Sequence, residues 1–273
     1  MNFSMKSPGQ NISNIVWDLR RFGMTPIGLI KRVFPGSAPK VLVISIPKSG
    51  THLLERALCL HPQLYRKYQP TINNRNIVRY KNFSRLKPGQ IAVSHLYFNS
   101  GLQEMIRSCG IKHIFMIRDP RDIVVSQIFY ASSRKNHRLH ASFSSIKETN
   151  ERLKLAIKGN DEQRIASIGR RMESYYGWLD SGGLIVRFED LIGGKGGGDA
   201  TSQTETLRTI FSYLEIDNGT EIITSIGDKL FANRGPTFRK GTSGGWKEHF
   251  DDELTGLFNE NTAAWMKKYG YYD

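Results

Sequence analysis

Three short clusters in this chain gather cations, hydroxyls and glycines at spacings suited to holding phosphate. The first is Pro47-Lys48-Ser49-Gly50-Thr51. It follows the apolar run VLVISI at 41–46, a buried-strand signal, and precedes HLLERAL at 52–58, whose apolar spacing suits a helix packed on a sheet. A strand, a small-residue loop and a helix in that order build an anion site, because loop amides and first-turn N–H groups converge on one point. Lys48 adds a positive charge, and Ser49 and Thr51 add hydroxyl donors. The spacing differs from the triphosphate loop G-x-x-x-x-G-K-[ST], since Lys48 stands before Gly50 rather than after it.

The second cluster is Arg118, Asp122 and Ser126, at the end of the strand candidate KHIFMI and in the segment after it. Pro120 is placed to start a helix there, which brings Asp122 and Ser126 to one face. Arg118 offers a planar fork suited to phosphate, and Asp122 either holds Arg118 or caps the helix. The third cluster is FRKGTSGGWKEHF at 238–250. Arg239 and Lys240 form a cationic clamp, Gly241, Gly244 and Gly245 permit close backbone approach, and Trp246 is an aromatic anchor for the loop. Each cluster alone has a plain alternative: an ordinary strand–turn–helix connection, a structural ion pair, a solvated basic tail.

The elements that must position these residues follow from periodicity. Strand candidates lie at 41–46, at 90–98 after the turn signal Lys87-Pro88-Gly89, at 112–117 and at 183–188, alternating with helical patterns. That alternation predicts an α/β class with a central, mainly parallel sheet flanked by helices. Ligands in such sheets bind beyond the C-terminal strand ends, where Lys48, His95 and Arg118 all fall. Residues 1–39 read as a helical or irregular N-terminal segment, with a partial apolar face over Asn14–Arg32. Residues 40–250 hold the motifs, and 251–273 read as a C-terminal helix with Leu254, Phe258, Trp265 and Tyr269 facing the core. Arg66–Gly89, Ser132–Asn160 and the glycine-rich Gly193–Gln203 read as loops or mobile elements.

The chain has 273 residues, 39% of them apolar or aromatic, enough for one large core. No run reaches the roughly 18 apolar residues of a membrane span. The start MNFSMKSPGQ has no apolar core of a secretory signal, and two cysteines, Cys59 and Cys109, make no disulfide framework and read as buried free thiols. A cytoplasmic protein without a membrane partner is expected. The net charge of +14 favours anionic partners. The basic residues are dispersed and form no nucleic-acid-binding signature, so nucleic acid is not the expected partner. His137 and His140 lack a ligand frame, so no metal is expected.

The three clusters, in this order, resemble the PAPS-dependent sulfotransferase family, where PAPS is 3′-phosphoadenosine 5′-phosphosulfate. Pro47-Lys48-Ser49-Gly50-Thr51-His52 is similar to the family's PKSGTT-like loop, Arg118 and Ser126 to its Arg and Ser eight residues apart, and 239–247 to its RKGxxGxWK motif. The matched region covers roughly 40–250. The resemblance implies a single P-loop-type three-layer domain over 1–273, and sulfuryl transfer from PAPS to a hydroxyl or to an amine or carbamoyl nitrogen, releasing the bisphosphate PAP, with no metal. It implies 5′-side contacts from Lys48, Ser49, Gly50, Thr51 and His52. Arg118, Ser126, Arg239, Lys240 and Gly241 would hold the 3′-phosphate, and Leu53, Phe188 and Phe231 would lie near the nucleotide. The family's KTHLP-like strand end corresponds to Val93-Ser94-His95-Leu96-Tyr97, which makes His95 the expected general base beside Lys48 as the second catalytic residue. Three departures stand out: Leu53 replaces a Trp near adenine, Phe188 replaces a Tyr, and Val93 replaces a Lys. The polar loops suggest a polar small-molecule acceptor, a secondary metabolite such as a cyanobacterial guanidinium toxin. The family also suggests a homodimer. The rival readings are a P-loop kinase, which requires ATP and Mg²⁺, and a non-catalytic anion-binding module.

Overall fold

A computed structural model describes residues 36–66, 71–77, 83–231 and 242–271. The N-terminal segment Asn14–Arg32, the cationic pair Arg239 and Lys240, and Gly241 lie outside the described residues.

β1 (Lys40–Ser45) sets the frame, because its apolar residues are buried on both faces. Leu42 and Ile44 point into one apolar cluster, and Val41 and Val43 into another. A strand of period two that is apolar at every position must be covered by helices on both sides. The rest of the chain does this. α1 (Thr51–Leu60) follows the loop. Two short strands, β2 (Tyr65–Arg66) and β3 (Ile72–Asn73), then precede β4 (Gln90–His95). α2 (Ser100–Ser108) leads into β5 (Ile111–Ile117), and α3 (Pro120–Ser133) follows. α4 (His140–Ser144), α5 (Thr149–Lys158) and α6 (Ile168–Tyr176) come next, then β6 (Leu184–Arg187) and the short α7 (Phe188–Leu191). α8 (Ala200–Tyr213), α9 (Thr220–Leu230) and α10 (Asp252–Lys268) complete the order.

The sheet runs β2-β4-β1-β5-β6 with β3 also on β4, and all pairings are parallel. The chain leaves β1 towards β4 and then crosses back to β5, so β1 lies between them at the point where strand order reverses. Crevices open at such points beyond the strand C-termini. α1, α8 and α9 share one apolar cluster (Leu54, Phe211, Ile223), and α3, α5, α6 and α10 the other (Ile128, Leu153, Met172, Phe258).

The α/β class and the parallel sheet expected from the sequence are both found. Several local expectations change. Arg66–Gly89 contains β3, the end of β2 and a turn of 3-10 helix at Phe83–Arg85. Ser132–Asn160, read as a loop or mobile element with a weak helical pattern, contains α4 and α5, and α5 buries Leu153, Ala156 and Ile157. Its apolar residues are sparse because only one narrow face packs. The glycine-rich stretch ends at Asp199, whose carboxylate caps α8 by accepting from Ser202 N, so the helix starts at Ala200 inside the expected loop. Cys59 and Cys109 are half-buried thiols rather than buried ones, and neither is in a disulfide. Among the described residues no helix is long and apolar enough to cross a membrane.

One buried side chain ties the helical layer to the end of β4. Trp178 is fully buried, donates from Nε1 to the Leu96 carbonyl at 2.9 Å, and meets Phe98 edge to face at 5.2 Å. Trp178→Ala should lower unfolding stability by about 3–5 kcal/mol, the range for removing a buried aromatic ring. A denaturant midpoint that falls at unchanged slope checks this. A stability within experimental error of the parent would contradict the packing described.

Candidate active site

The loop between β1 and α1 turns in a space that only glycine fits. Gly50 has φ +93°, and a Cβ there would sit 2.4 Å from Cδ2 of the Phe188 ring. Lys48 also takes a left-handed backbone, at φ 81°. For a residue with a side chain this costs about 1–2 kcal/mol. The loop closes with Ser49 N donating to the Ile46 carbonyl at 3.1 Å, and α1 starts with no side-chain cap. Ser49 is fully buried, and its Oγ has no hydrogen-bond partner among the described residues. Such an orphaned hydroxyl, inside a tight loop at a helix start, fits a phosphate-type oxygen as its missing partner. Thr51 is buried with Oγ1 2.6 Å from Ser45 Oγ.

His95 lies at the C-terminal end of β4, two strand-widths from Arg118 and one from the loop. Its Nδ1 donates to the Ser45 carbonyl at 2.8 Å and also lies 3.2 Å from Ser45 Oγ. With the proton on Nδ1, Nε2 carries the lone pair. Burial is the main influence on the ring and pushes its pKa down to about 4; the bond to Ser45 opposes this, and the charges of His52, Arg171 and Lys48 add to it. The imidazole is therefore neutral at physiological pH. Lys48 Nζ sits 3.7 Å above the Tyr130 ring of α3. His52 Nδ1 donates to Glu55 Oε2 at 2.9 Å, and buried Glu55 is also ion-paired with buried Arg66.

Arg118 clasps two loops. It donates to the Lys48 carbonyl at 3.3 Å and the Thr242 carbonyl at 2.9 Å, and its guanidinium lies 4.3 Å over the Phe188 ring. Its Nε is buried without a partner among the described residues. Asp122 pairs with Arg118 at 3.3 Å and accepts from Gly244 N and Trp246 N at 2.9 Å each. Of the two roles open to Asp122 it therefore takes the first, and the helix cap is Asp119, which accepts from Arg121 N. Arg121 in turn covers the Trp246 ring at 3.9 Å, so Trp246 anchors the tail loop as expected. Ser126 is half-buried one turn beyond Asp122.

The fold thus brings Lys48, Ser49, Gly50, Thr51, His95 and Arg118 to the C-terminal ends of three adjacent strands, β4, β1 and β5. Leu53 and Phe231 lie half-buried against the same apolar cluster, while Phe188 is a buried wedge beneath Gly50 and Arg118. Against this geometry, residues 38–192 match the family described as "Sulfotransferase domain". The chain belongs to the sulfotransferase family. Curated relatives include mouse sulfotransferase 2A6, 24% identical over 251 residues, 81% of each chain. Rat sulfotransferase 2A2 is 24% identical over 260 residues, 82% of this chain and 84% of the relative. Mouse sulfotransferase SULT7A1 complexed with PAP superposes with a TM-score of 0.61 at 20% identity, covering 86% of this chain and 89% of that one. Retinol dehydratase in complex with androsterone and inactive cofactor PAP gives 0.56 at 16% identity, covering 90% and 86%. Those two structures share the fold. This sulfotransferase is an enzyme, and the sequence reasoning had passed over three residues that shape its site. Arg171 of α6 donates to the Pro47 carbonyl at 2.9 Å and to Gln127. Tyr130 carries Lys48 on its ring, and Glu189 accepts from Asp119 N at 2.9 Å. None belongs to a spacing pattern that would single it out; only Glu189, within Arg187-Phe188-Glu189-Asp190-Leu191, lay in a recognisable segment.

A depressed His95 pKa has a direct signature. In ring-carbon NMR titration of the chain's seven histidines, the signal that vanishes in His95→Asn should stay neutral down to about pH 5. A titration step near the ordinary 6.5 for that signal would contradict the buried, hydrogen-bonded ring.

Proposed function

We propose that this enzyme transfers a sulfuryl group from PAPS to a hydroxyl or nitrogen of a polar small molecule, with His95 as general base and Lys48 as the cation at the leaving oxygen. The observation that carries this reading is the convergence of Lys48, His95 and Arg118 at the C-terminal ends of adjacent strands, with Ser49 Oγ buried and without a partner among the described residues. When bound, PAPS supplies the sulfuryl group and its leaving bisphosphate. The neighbours' PAP complexes support the same donor.

The chain's residues divide the work. Ser49, Gly50, Thr51 and His52 hold the 5′ side through loop amides and hydroxyls. Arg118 and Ser126 hold the 3′-phosphate, with Arg239, Lys240 and Gly241 completing that clamp. Leu53 and Phe231 offer apolar surface to the adenine, and Phe188 supports the loop from beneath. Lys48 stabilises the negative charge that grows as the bridging bond breaks, in a site where water is largely replaced by fixed dipoles. His95 takes the acceptor's proton at Nε2, since Nδ1–H is held by Ser45. No step calls for a metal, and the described residues hold no group of three metal-ligating side chains. A kinase is disfavoured because the loop places Lys48 before its glycine rather than after it. The whole chain acts as one domain, soluble and cytoplasmic, with a homodimer as its assembly. A secondary-metabolite or toxin acceptor rests on family analogy alone.

Calorimetry with PAP, with ATP and AMP as controls, tests the donor. Binding that requires the 3′-phosphate is expected, and no selectivity over AMP would overturn the reading. His95→Ala should cut turnover about 100- to 10,000-fold, the range of positioned general-base chemistry, with PAP affinity retained. Turnover near that of the parent would remove His95 from the mechanism. Lys48→Ala should lower both turnover and affinity for the donor, and an unchanged turnover number would refute its role.

A further inference from the structure

Next to His95 the crevice carries positive charge that the donor side does not use. The turn after β3 is fixed to the end of β4: Asn73 pairs with His95 in the sheet, and Asn74 donates to the His95 carbonyl at 3.5 Å and accepts from Tyr97 N at 3.2 Å. Arg75 is the next residue of that turn and is exposed. Arg138, also exposed, is held by a 3.1 Å bond to the Arg164 carbonyl. Arg171 approaches from α6, pinned to the Pro47 carbonyl of the loop. Between them Tyr97 is 47% exposed, with its ring edge-on to buried Tyr175 at 5.3 Å.

The charges act on one another in a chain. Lys48 and Arg171 bear on His95, Arg138 bears on Arg171, and Arg75 bears on Arg138. Burial holds the Arg171 pKa down at about 10, so the group is still a cation at neutral pH. On the donor side each arginine has its acid: Arg118 has Asp122, and Arg121 has Asp119. Among the described residues Arg75, Arg138 and Arg171 form no ion pair. Of the three, Arg171 is desolvated, and a desolvated charge without a counter-charge is costly and is retained where a ligand supplies one, while exposed Arg75 and Arg138 add to the positive field.

We propose that the acceptor is itself an anion, a small molecule whose acid group is held by Arg75, Arg138 and Arg171 beside the Tyr97 ring while its nucleophile faces His95. This rests on the reading of His95 as the base of a sulfotransferase. The arginines offer planar, charge-assisted hydrogen bonds to a carboxylate or similar group, and Tyr97 offers an aromatic face to the body of the molecule. A guanidinium acceptor would meet like charge from three arginines and is disfavoured.

The probes are three phenols of one shape and different charge: 4-hydroxyphenylacetate, its neutral amide and the cationic amine tyramine. Their binding to PAP-saturated enzyme is measured by ligand-observed NMR, and their sulfation by PAP release. The acid should bind at least about tenfold tighter than the amide, as expected for hydrogen bonds to charged groups, and tyramine most weakly. In Arg75→Gln/Arg138→Gln the acid-to-amide ratio should fall about tenfold. Equal binding of acid and amide, preference for tyramine, binding by none of the three, or a ratio unchanged in the double variant would overturn the proposal. A loss of PAP affinity in the double variant would assign these arginines to the donor and overturn it too. Failure of the parent enzyme to bind PAP, seen separately by calorimetry, would strike the donor reading and not the charge preference.

Discussion

The contact on which the site depends is the approach of Gly50 to the Phe188 ring. Phe188 begins α7 immediately after β6, and the strand order places β5 between β6 and β1. Its ring spans that gap, beneath the loop on one side and beneath the Arg118 guanidinium on the other. With a Cβ excluded at Gly50, the loop turns sharply enough to bury Ser49 and to drive Lys48 into a left-handed backbone. The strain at Lys48 and the orphaned Ser49 Oγ are two consequences of one steric fact. Phe188 presents its π-face to the Arg118 guanidinium, a contact that needs no hydroxyl on the ring.

From that wedge the rest of the donor side is assembled by hydrogen bonds to backbone rather than by side-chain pairs. Arg118 spends its fork on the carbonyls of Lys48 and Thr242. Asp122 spends both carboxylate oxygens on Gly244 N and Trp246 N. The β1 loop, the start of α3 and the tail loop are thus locked through two side chains separated by one helical turn. Backbone partners fix position with little dependence on neighbouring sequence, and this pre-organises the crevice before any ligand enters.

Much of this was legible in the sequence, and the reasons it was legible are physical. β1 and β5 each carry four successive apolar residues (41–44 and 114–117) because helices cover both faces, and such runs announce themselves. The loop, Arg118 and His95 sit at strand ends, where topology alone predicts a crevice. α5 and the start of α8 were hidden for opposite reasons. α5 buries only Leu153, Ala156 and Ile157, too narrow a stripe to stand out in a polar segment, while α8 starts straight after a glycine run that masks its Asp199 cap. β2 and β3 are two residues each, below any periodicity. Arg171 and Tyr130 could not be found from sequence, since each matters through a residue more than 80 positions away along the chain.

The two halves of the crevice solve opposite electrostatic problems. Around the β1 loop, Arg118 is tempered by Asp122 and Arg121 by Asp119. Around the end of β4, Arg75 and Arg138 are exposed, Arg171 is pinned to the Pro47 carbonyl, and none of the three forms an ion pair among the described residues. Exposed arginines select by charge at long range and adapt to different shapes at short range. His95 lies on the border between the halves. Burial keeps its pKa low, and the charges of His52, Arg171 and Lys48 add to that. The proton affinity of the ring is thus set first by where the fold buries it and only second by the cations around it.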